Sequence, residues 1–215
     1  MTSATLFFAA ITLTAATADR WESDIAAYEA MDRKSPPVQD GIVFIGSSSV
    51  RLWDVRKSFP DLPVVNRGFG GSQLADSVRY ADRILIPYRP KTVVLYAGDN
   101  DLAAGKSPEQ VLADYKAFAA KVHGALPDTR IVYVAVKPSP KRWALIEKIR
   151  ETNRLIRAAA EQDPRQVFVD VEKPMLTAEG QPRAELYRPD DLHLNDEGYK
   201  LWTELVRPHL EKKKE

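Results

Sequence analysis

Four short segments carry the residue types that acyl-transfer chemistry uses: Gly46-Ser47-Ser48-Ser49, Asn66-Arg67-Gly68-Phe69-Gly70-Gly71, Gly98-Asp99-Asn100-Asp101 and Asp190-Asp191-Leu192-His193. A serine hydroxyl is a weak nucleophile until a neighbouring base accepts its proton. The chain has three histidines. His123 falls at the end of a predicted helix beside Gly124, and His209 falls in the trailing segment. His193 alone sits in a polar loop with a carboxylate, Asp190, three residues before it. That spacing lets Asp190 turn toward the imidazole, fix its tautomer and stabilise the imidazolium. Asp191 is the rival orienter and ranks lower, because it also reads as a turn residue. Taken singly, each segment has a structural explanation. Glycines after strands make turns, and Asn or Asp in that place caps the next helix.

Their meaning therefore depends on the elements that position them. Four apolar runs, Ile42 to Ile45, Thr92 to Ala97, Ile131 to Val136 and Val167 to Val171, are nearly continuous and rich in Val or Ile. Such runs read as strands buried on both faces, the mark of a parallel sheet. Pro63 to Asn66 is a weaker fifth candidate. Helical patterns lie between them. Ser107-Pro108-Glu109-Gln110 opens one with a capping box and a proline at the first helical position. Gly124 and Pro127 mark its end. Gln73 to Ile86 and Trp143 to Ala160 give two more, Asp19 to Ala30 a leading helix, and a last helix starts near Asn195. Strands alternating with helices predict a three-layer α/β/α sandwich around a five-stranded parallel sheet. Ligands of such sheets bind beyond the carboxyl ends of the strands. The first three polar segments directly follow a predicted strand, and the fourth precedes the final helix.

The four blocks, in this order, resemble those of the SGNH hydrolases, the GDSL-type esterase and lipase superfamily. The likeness runs from about Trp21 to about Leu210. It is most similar to the small platelet-activating-factor acetylhydrolase-like esterases. Gly46-Ser47-Ser48 resembles the Gly-Asp-Ser block, which implies Ser48 as nucleophile. Gly71 matches the oxyanion glycine, Asn100 the oxyanion asparagine, and Asp190 and His193 the Asp-x-x-His block. The resemblance implies the flavodoxin-like SGNH fold and an oxyanion hole made by the amides of Ser48 and Gly71 and the side chain of Asn100. Chemistry agrees with these roles, since attack on an ester carbonyl creates an oxyanion that needs preorganised donors. The missing side chain at Gly71 lets backbone approach a ligand closely. Ser49 reads as a cap for the following helix. One position departs from the pattern: Ser47 stands where the family has Asp. The α/β-hydrolase elbow, Gly-x-Ser-x-Gly, is absent because Val50 occupies its last position.

Composition narrows the rest. The 215 residues suit one domain over residues 19–215, and a net charge of +1 argues against a nucleic-acid partner. With no cysteine, disulfides, thiolate metal sites and a cysteine nucleophile are excluded. No paired histidines stand at metal-ligand spacing, so neither metal nor cofactor is expected. Leu6 to Ala18 is apolar, ends in Ala16-Thr17-Ala18, and is too short for a stable membrane span. It reads as an export signal cut after Ala18, implying a periplasmic or secreted protein. Without a basic residue before that run, the other reading is a buried or disordered N-terminal segment of a cytoplasmic protein. Trp53, Phe69, Tyr96 and Trp143 read as core aromatics. Arg67, Lys137 and Arg142 could favour an anionic leaving group, but read by default as solvated surface. The short connections leave no room for a large lid. The expected activity is hydrolysis of small or short-chain carboxylic esters through an acyl-enzyme, with acetyl esters of carbohydrate or lipid as candidates. The alternatives are an inactive ligand-binding module of the same fold and an acyltransferase. Oligomeric state has no signal in the sequence.

Overall fold

The apolar runs form five strands that hydrogen-bond into one parallel sheet in a computed structural model that describes residues 19–210. The expected export signal, Met1 to Ala18, and the charged tail, Glu211 to Glu215, lie outside the described residues. Helix α1 (Glu22–Lys34) leads into β1 (Ile42–Gly46), followed by the short helices α2 (Ser48–Arg51) and α3 (Val55–Ser58). Then come β2 (Val64–Gly68), α4 (Leu74–Ile84), β3 (Thr92–Tyr96), α5 (Asp99–Ala103) and α6 (Pro108–Ala125). The chain continues through β4 (Arg130–Val134), α7 (Ile146–Ala160), β5 (Gln166–Val169) and α8 (Asp196–Val206). The sheet order is β2-β1-β3-β4-β5. The order reverses between β1 and β3, so a crevice opens at their carboxyl ends.

Alternate residues of each strand feed opposite faces, and both faces are covered. Val43, Ile45, Val93, Leu95, Ile131 and Tyr133 pack with Leu74, Val111, Phe118 and Ile149 of α4, α6 and α7. Phe44, Val94, Tyr96 and Val132 pack on the other side with Trp53, Phe59, Tyr199 and Trp202. Burial on both faces explains why the strand sequences lack alternation. Burying each such side chain contributes about 1.5–3 kcal/mol. Trp53, Phe69 and Tyr96 lie in this core as expected, and Trp143 is only partly buried.

Several boundaries differ from the sequence reading for local reasons. The capping box of α6 forms: Ser107 Oγ accepts from the Gln110 amide (3.3 Å), and Gln110 Oε1 accepts from the Ser107 amide (2.8 Å). Gly124 stays inside that helix instead of ending it. The helix expected from Trp143 starts at Ile146, after a 3-10 stretch over Pro140–Leu145. Proline at its start fixes φ and donates no backbone hydrogen bond. Helix α1 continues past Ala30 to Lys34 and stops before Pro36-Pro37. The residue before a proline is pushed out of the helical region. Among the described residues, no helix is long and apolar enough to cross a membrane.

Candidate active site

The end of β1 approaches β3 so closely that Gly46 is required. Its φ is +135°, and a Cβ there would lie 1.9 Å from the Tyr96 carbonyl oxygen. The turn that follows donates the Ser47 amide to that carbonyl (3.0 Å). Ser47 then occupies the N-cap of α2, with its hydroxyl buried and without a partner among the described residues. Ser48 is the first residue of α2 and is half-buried. Ser49 does not cap the helix as the sequence suggested. Its side chain points to the interior, where Lys137 Nζ donates to Oγ at 3.2 Å.

The far end of the chain supplies the imidazole. His193 Nε2 lies 3.0 Å from Ser48 Oγ, across 145 residues of sequence. His193 Nδ1 lies 2.6 Å from Asp190 Oδ2. With its Nδ1 proton directed at Asp190, the ring presents Nε2 as an acceptor toward the serine. The other Asp190 oxygen accepts from the amides of Leu192 (3.0 Å) and His193 (2.9 Å), closing a tight local loop. Partial burial acts to raise the Asp190 pKa. The imidazole and the two amides outweigh it and hold the half-exposed carboxylate well below the usual range. Asp191 takes φ +59° and uses its carbonyl to accept the Lys141 amide (3.0 Å), the turn role allowed for it. The loop is tied down by Arg188, whose amide donates to the His193 carbonyl (2.8 Å), and by a bridge between Tyr187 and Leu194.

The remaining predicted residues lie on the loop after β2 and at the start of α5, which follows β3. Gly71 has φ +74° in the loop after β2. Among the described residues, neither its amide nor that of Ser48 has an acceptor. Asn100 lies near the start of α5, and its Nδ2 donates to the Ser72 carbonyl (2.9 Å), next to Gly71. That bond leaves the second Nδ2 hydrogen available. The loop bearing Gly71 is held from both sides. Asn66 donates to the Val50 and Trp53 carbonyls (2.7 and 2.9 Å), tying it to α2. Trp21 Nε1 donates to the Gly70 carbonyl (2.9 Å), and the Tyr28 hydroxyl donates to the Gly68 carbonyl (2.5 Å). The leading helix α1 thus acts as a clamp on the loop, a role the sequence did not reveal.

Of three charged residues read as solvated surface, two are enclosed and the third, Arg142, is partly buried. Arg67 is 5% exposed, pairs with Asp32 and donates to the Tyr88 hydroxyl (2.9 Å). Lys137 is 1% exposed and donates to Tyr96 Oη (3.0 Å) and Asp99 Oδ2 (3.2 Å) as well as to Ser49. Arg142 Nη1 forms an ion pair with the same Asp99 oxygen at 2.8 Å, without the alignment of a hydrogen bond. Burial acts to raise the Asp99 pKa, but the two cations hold the carboxyl below its ordinary value. Burial pushes the Lys137 ammonium down, with Asp99 opposing. Each carboxylate partner lies more than 30 residues away in sequence, so no local pattern could have announced these ion pairs. No group of metal-binding side chains occurs among the described residues.

A hydroxyl facing a carboxylate-held imidazole can support nucleophilic attack on an acyl carbon. Comparison with known proteins points to ester hydrolysis. Residues 48–201 match the GDSL-like Lipase/Acylhydrolase family. The chain is 34% identical over 167 residues to the Homo sapiens platelet-activating factor acetylhydrolase IB subunit alpha1, covering 74% of this chain and 70% of that protein. It superposes on a GDSL-like lipase from Bacteroides thetaiotaomicron with a TM-score of 0.76 and 20% identity, covering 87% and 97% of the two chains. A carbohydrate esterase family 3 protein from Talaromyces cellulolyticus gives a TM-score of 0.62 at 18% identity, covering 80% and 96%. The five-stranded flavodoxin-like sheet, the ordered blocks and the family match together make this chain a member of the GDSL-type SGNH hydrolase superfamily, and hence a carboxylic ester hydrolase.

Proposed function

We propose that the protein is a serine esterase acting on small or short-chain carboxylic esters, with Ser48 as nucleophile, His193 as general base and Asp190 as its orienting carboxylate. The observation that carries this reading is the 3.0 Å approach of His193 Nε2 to Ser48 Oγ, with Nδ1 held 2.6 Å from Asp190. As Oγ attacks the ester carbonyl, its proton passes to Nε2, and the carbonyl oxygen becomes an oxyanion. The amides of Ser48 and Gly71 and the free Nδ2 hydrogen of Asn100 receive that charge. Collapse of the tetrahedral intermediate breaks the ester C–O bond, and the imidazolium returns its proton to the departing alcohol. Water then repeats the sequence on the acyl-enzyme, releasing the acid and restoring the serine.

Short acyl groups fit the frame. The connections around the crevice are short, and the aromatic side chains Trp53, Phe69 and Tyr96 are buried in the core instead of lining a tunnel. The acetylhydrolase name of the human relative favours acetyl esters as substrates for this chain, and the carbohydrate esterase of like fold suggests sugars as one source of them. The test is hydrolysis of p-nitrophenyl acetate, butyrate and palmitate together with labelling by a fluorophosphonate. Acetate is expected to be the best substrate, and Ser48→Ala is expected to abolish labelling and lower kcat by roughly 10⁴–10⁶. Preference for palmitate would overturn the short-acyl assignment. An unlabelled wild-type protein with no esterase activity would overturn the serine mechanism.

A further inference from the structure

The structure assigns Arg142 as a positioning residue that locks the Asn100 side-chain amide in its oxyanion-binding orientation. The inference rests on the reading of Asn100 as an oxyanion donor. An asparagine amide has two nearly isosteric ends, and only the NH₂ end can stabilise negative charge. At Asn100 both ends are specified. Arg142 Nη2 donates to Oδ1 at 2.8 Å, and Nδ2 donates to the Ser72 carbonyl at 2.9 Å. A flipped amide would set NH₂ against the guanidinium and Oδ1 against a carbonyl, so both contacts oppose the flip. One Nδ2 hydrogen then remains, with its direction fixed.

Arg142 is itself held in place. Its Nη1 pairs with Asp99 Oδ2 at 2.8 Å, and its side chain is 16% exposed. That Asp99 oxygen also receives Lys137 Nζ, which bonds Ser49 beside the nucleophile. Asp99 directly precedes Asn100. A continuous polar chain therefore runs Ser49–Lys137–Asp99–Arg142–Asn100, linking the nucleophile turn to the distal oxyanion donor. The next contact along the backbone, the Lys141 amide on the Asp191 carbonyl (3.0 Å), ties the Arg142 segment to the histidine loop. A planar guanidinium fork can reach Asp99 with one nitrogen and Asn100 with another; a lysine ammonium is a point charge without that geometry.

A double-mutant cycle separates this role from a structural or substrate-binding one. Asn100→Ala is expected to lower kcat by about 10²–10³, the usual cost of losing one oxyanion donor. Arg142→Met should lower kcat by about 10–100-fold with KM within about twofold, since it loosens that donor without removing it. In the Asn100→Ala background, Arg142→Met should change kcat by less than about threefold, because nothing remains for it to position. Thermal melts establish that each variant is folded. Should Arg142→Met fail to fold, Arg142→Lys keeps the charge and replaces it in the same cycle, with the same loss expected. Additive losses in the double variant, an effect on KM alone, or full activity in Arg142→Lys would overturn the inference. If Asn100→Ala itself retains wild-type kcat while Ser48→Ala is dead, the fault lies with the oxyanion reading and not with the esterase mechanism.

Discussion

Asp190 and Asp191 are adjacent carboxylates with unlike surroundings. Asp190 accepts three hydrogen bonds, two from backbone amides and one from the imidazole. Asp191 turns the chain with φ +59°, a conformation that Asn tolerates as well as Asp does. Asp190→Asn should therefore lower kcat on p-nitrophenyl acetate by about 10⁴, because an amide in that place favours the wrong imidazole tautomer. Asp191→Asn should keep kcat within a few-fold of wild type. Steady-state kinetics on the pair decides the assignment, and equal losses would remove Asp190 from its role. The preference for Asp190 was legible in the spacing to His193. The fate of Ser49 was not, because its partner Lys137 lies 88 residues away.

At the scale of elements, the oxyanion loop after β2 depends on α1, which precedes the first strand. Tyr28 is partly buried, which pushes its phenol pKa up, and its hydroxyl donates to the Gly68 carbonyl. Tyr28→Phe removes that donor and should lower unfolding free energy by about 1–2 kcal/mol, read by urea denaturation. It should also reduce kcat more than it raises KM, because the loop that carries Gly71 loosens.

The buried ion cluster at the start of α5 gives a pH prediction. The folded pKa of Asp99 lies below its ordinary value of 3.8. The stability it contributes is thus fully present above that value and is lost as pH falls through the folded pKa. Asp99→Asn leaves the buried Lys137 and the partly buried Arg142 without their counter-ion and should cost about 3–5 kcal/mol at neutral pH. The gap to wild type should narrow below about pH 4 as the native carboxylate becomes protonated, a trend that stability curves at several acid pH values would measure. A gap that stays constant into acid would show that Asp99 does not titrate with folding. Neither α1's clamp nor this cluster was readable in sequence. Periodicity and capping locate an element along the chain, but they do not say which distant carbonyl or carboxylate it meets.

For the whole molecule, the strand runs, the sheet and the four polar blocks were readable because both sheet faces are buried and each block follows a strand or precedes a helix. The same architecture makes the site a product of global folding. Ser48 and His193 meet only because β1 lies inside the sheet, between β2 and β3, while α8, anchored by the fully buried Trp202 against Tyr96 and Trp53, carries the preceding loop back over it. That loop has its own ties to the body: Asn195 donates to the Glu185 and Tyr187 carbonyls (2.8 and 3.1 Å), and the Tyr187 hydroxyl donates to the Pro138 carbonyl. Loss of esterase activity in urea should therefore coincide with loss of the native tryptophan fluorescence, as a single cooperative transition requires. Trp202→Ala should lower unfolding free energy by about 3–5 kcal/mol, the usual cost of emptying so large a core site. At about 2–4 °C per kcal/mol for a chain of this size, Tm should fall by roughly 6–20 °C. Activity and fluorescence should shift together in that variant. Activity that vanishes at markedly lower urea than the fluorescence change would instead mean that the histidine loop opens on its own, with a local free energy below that of the sheet.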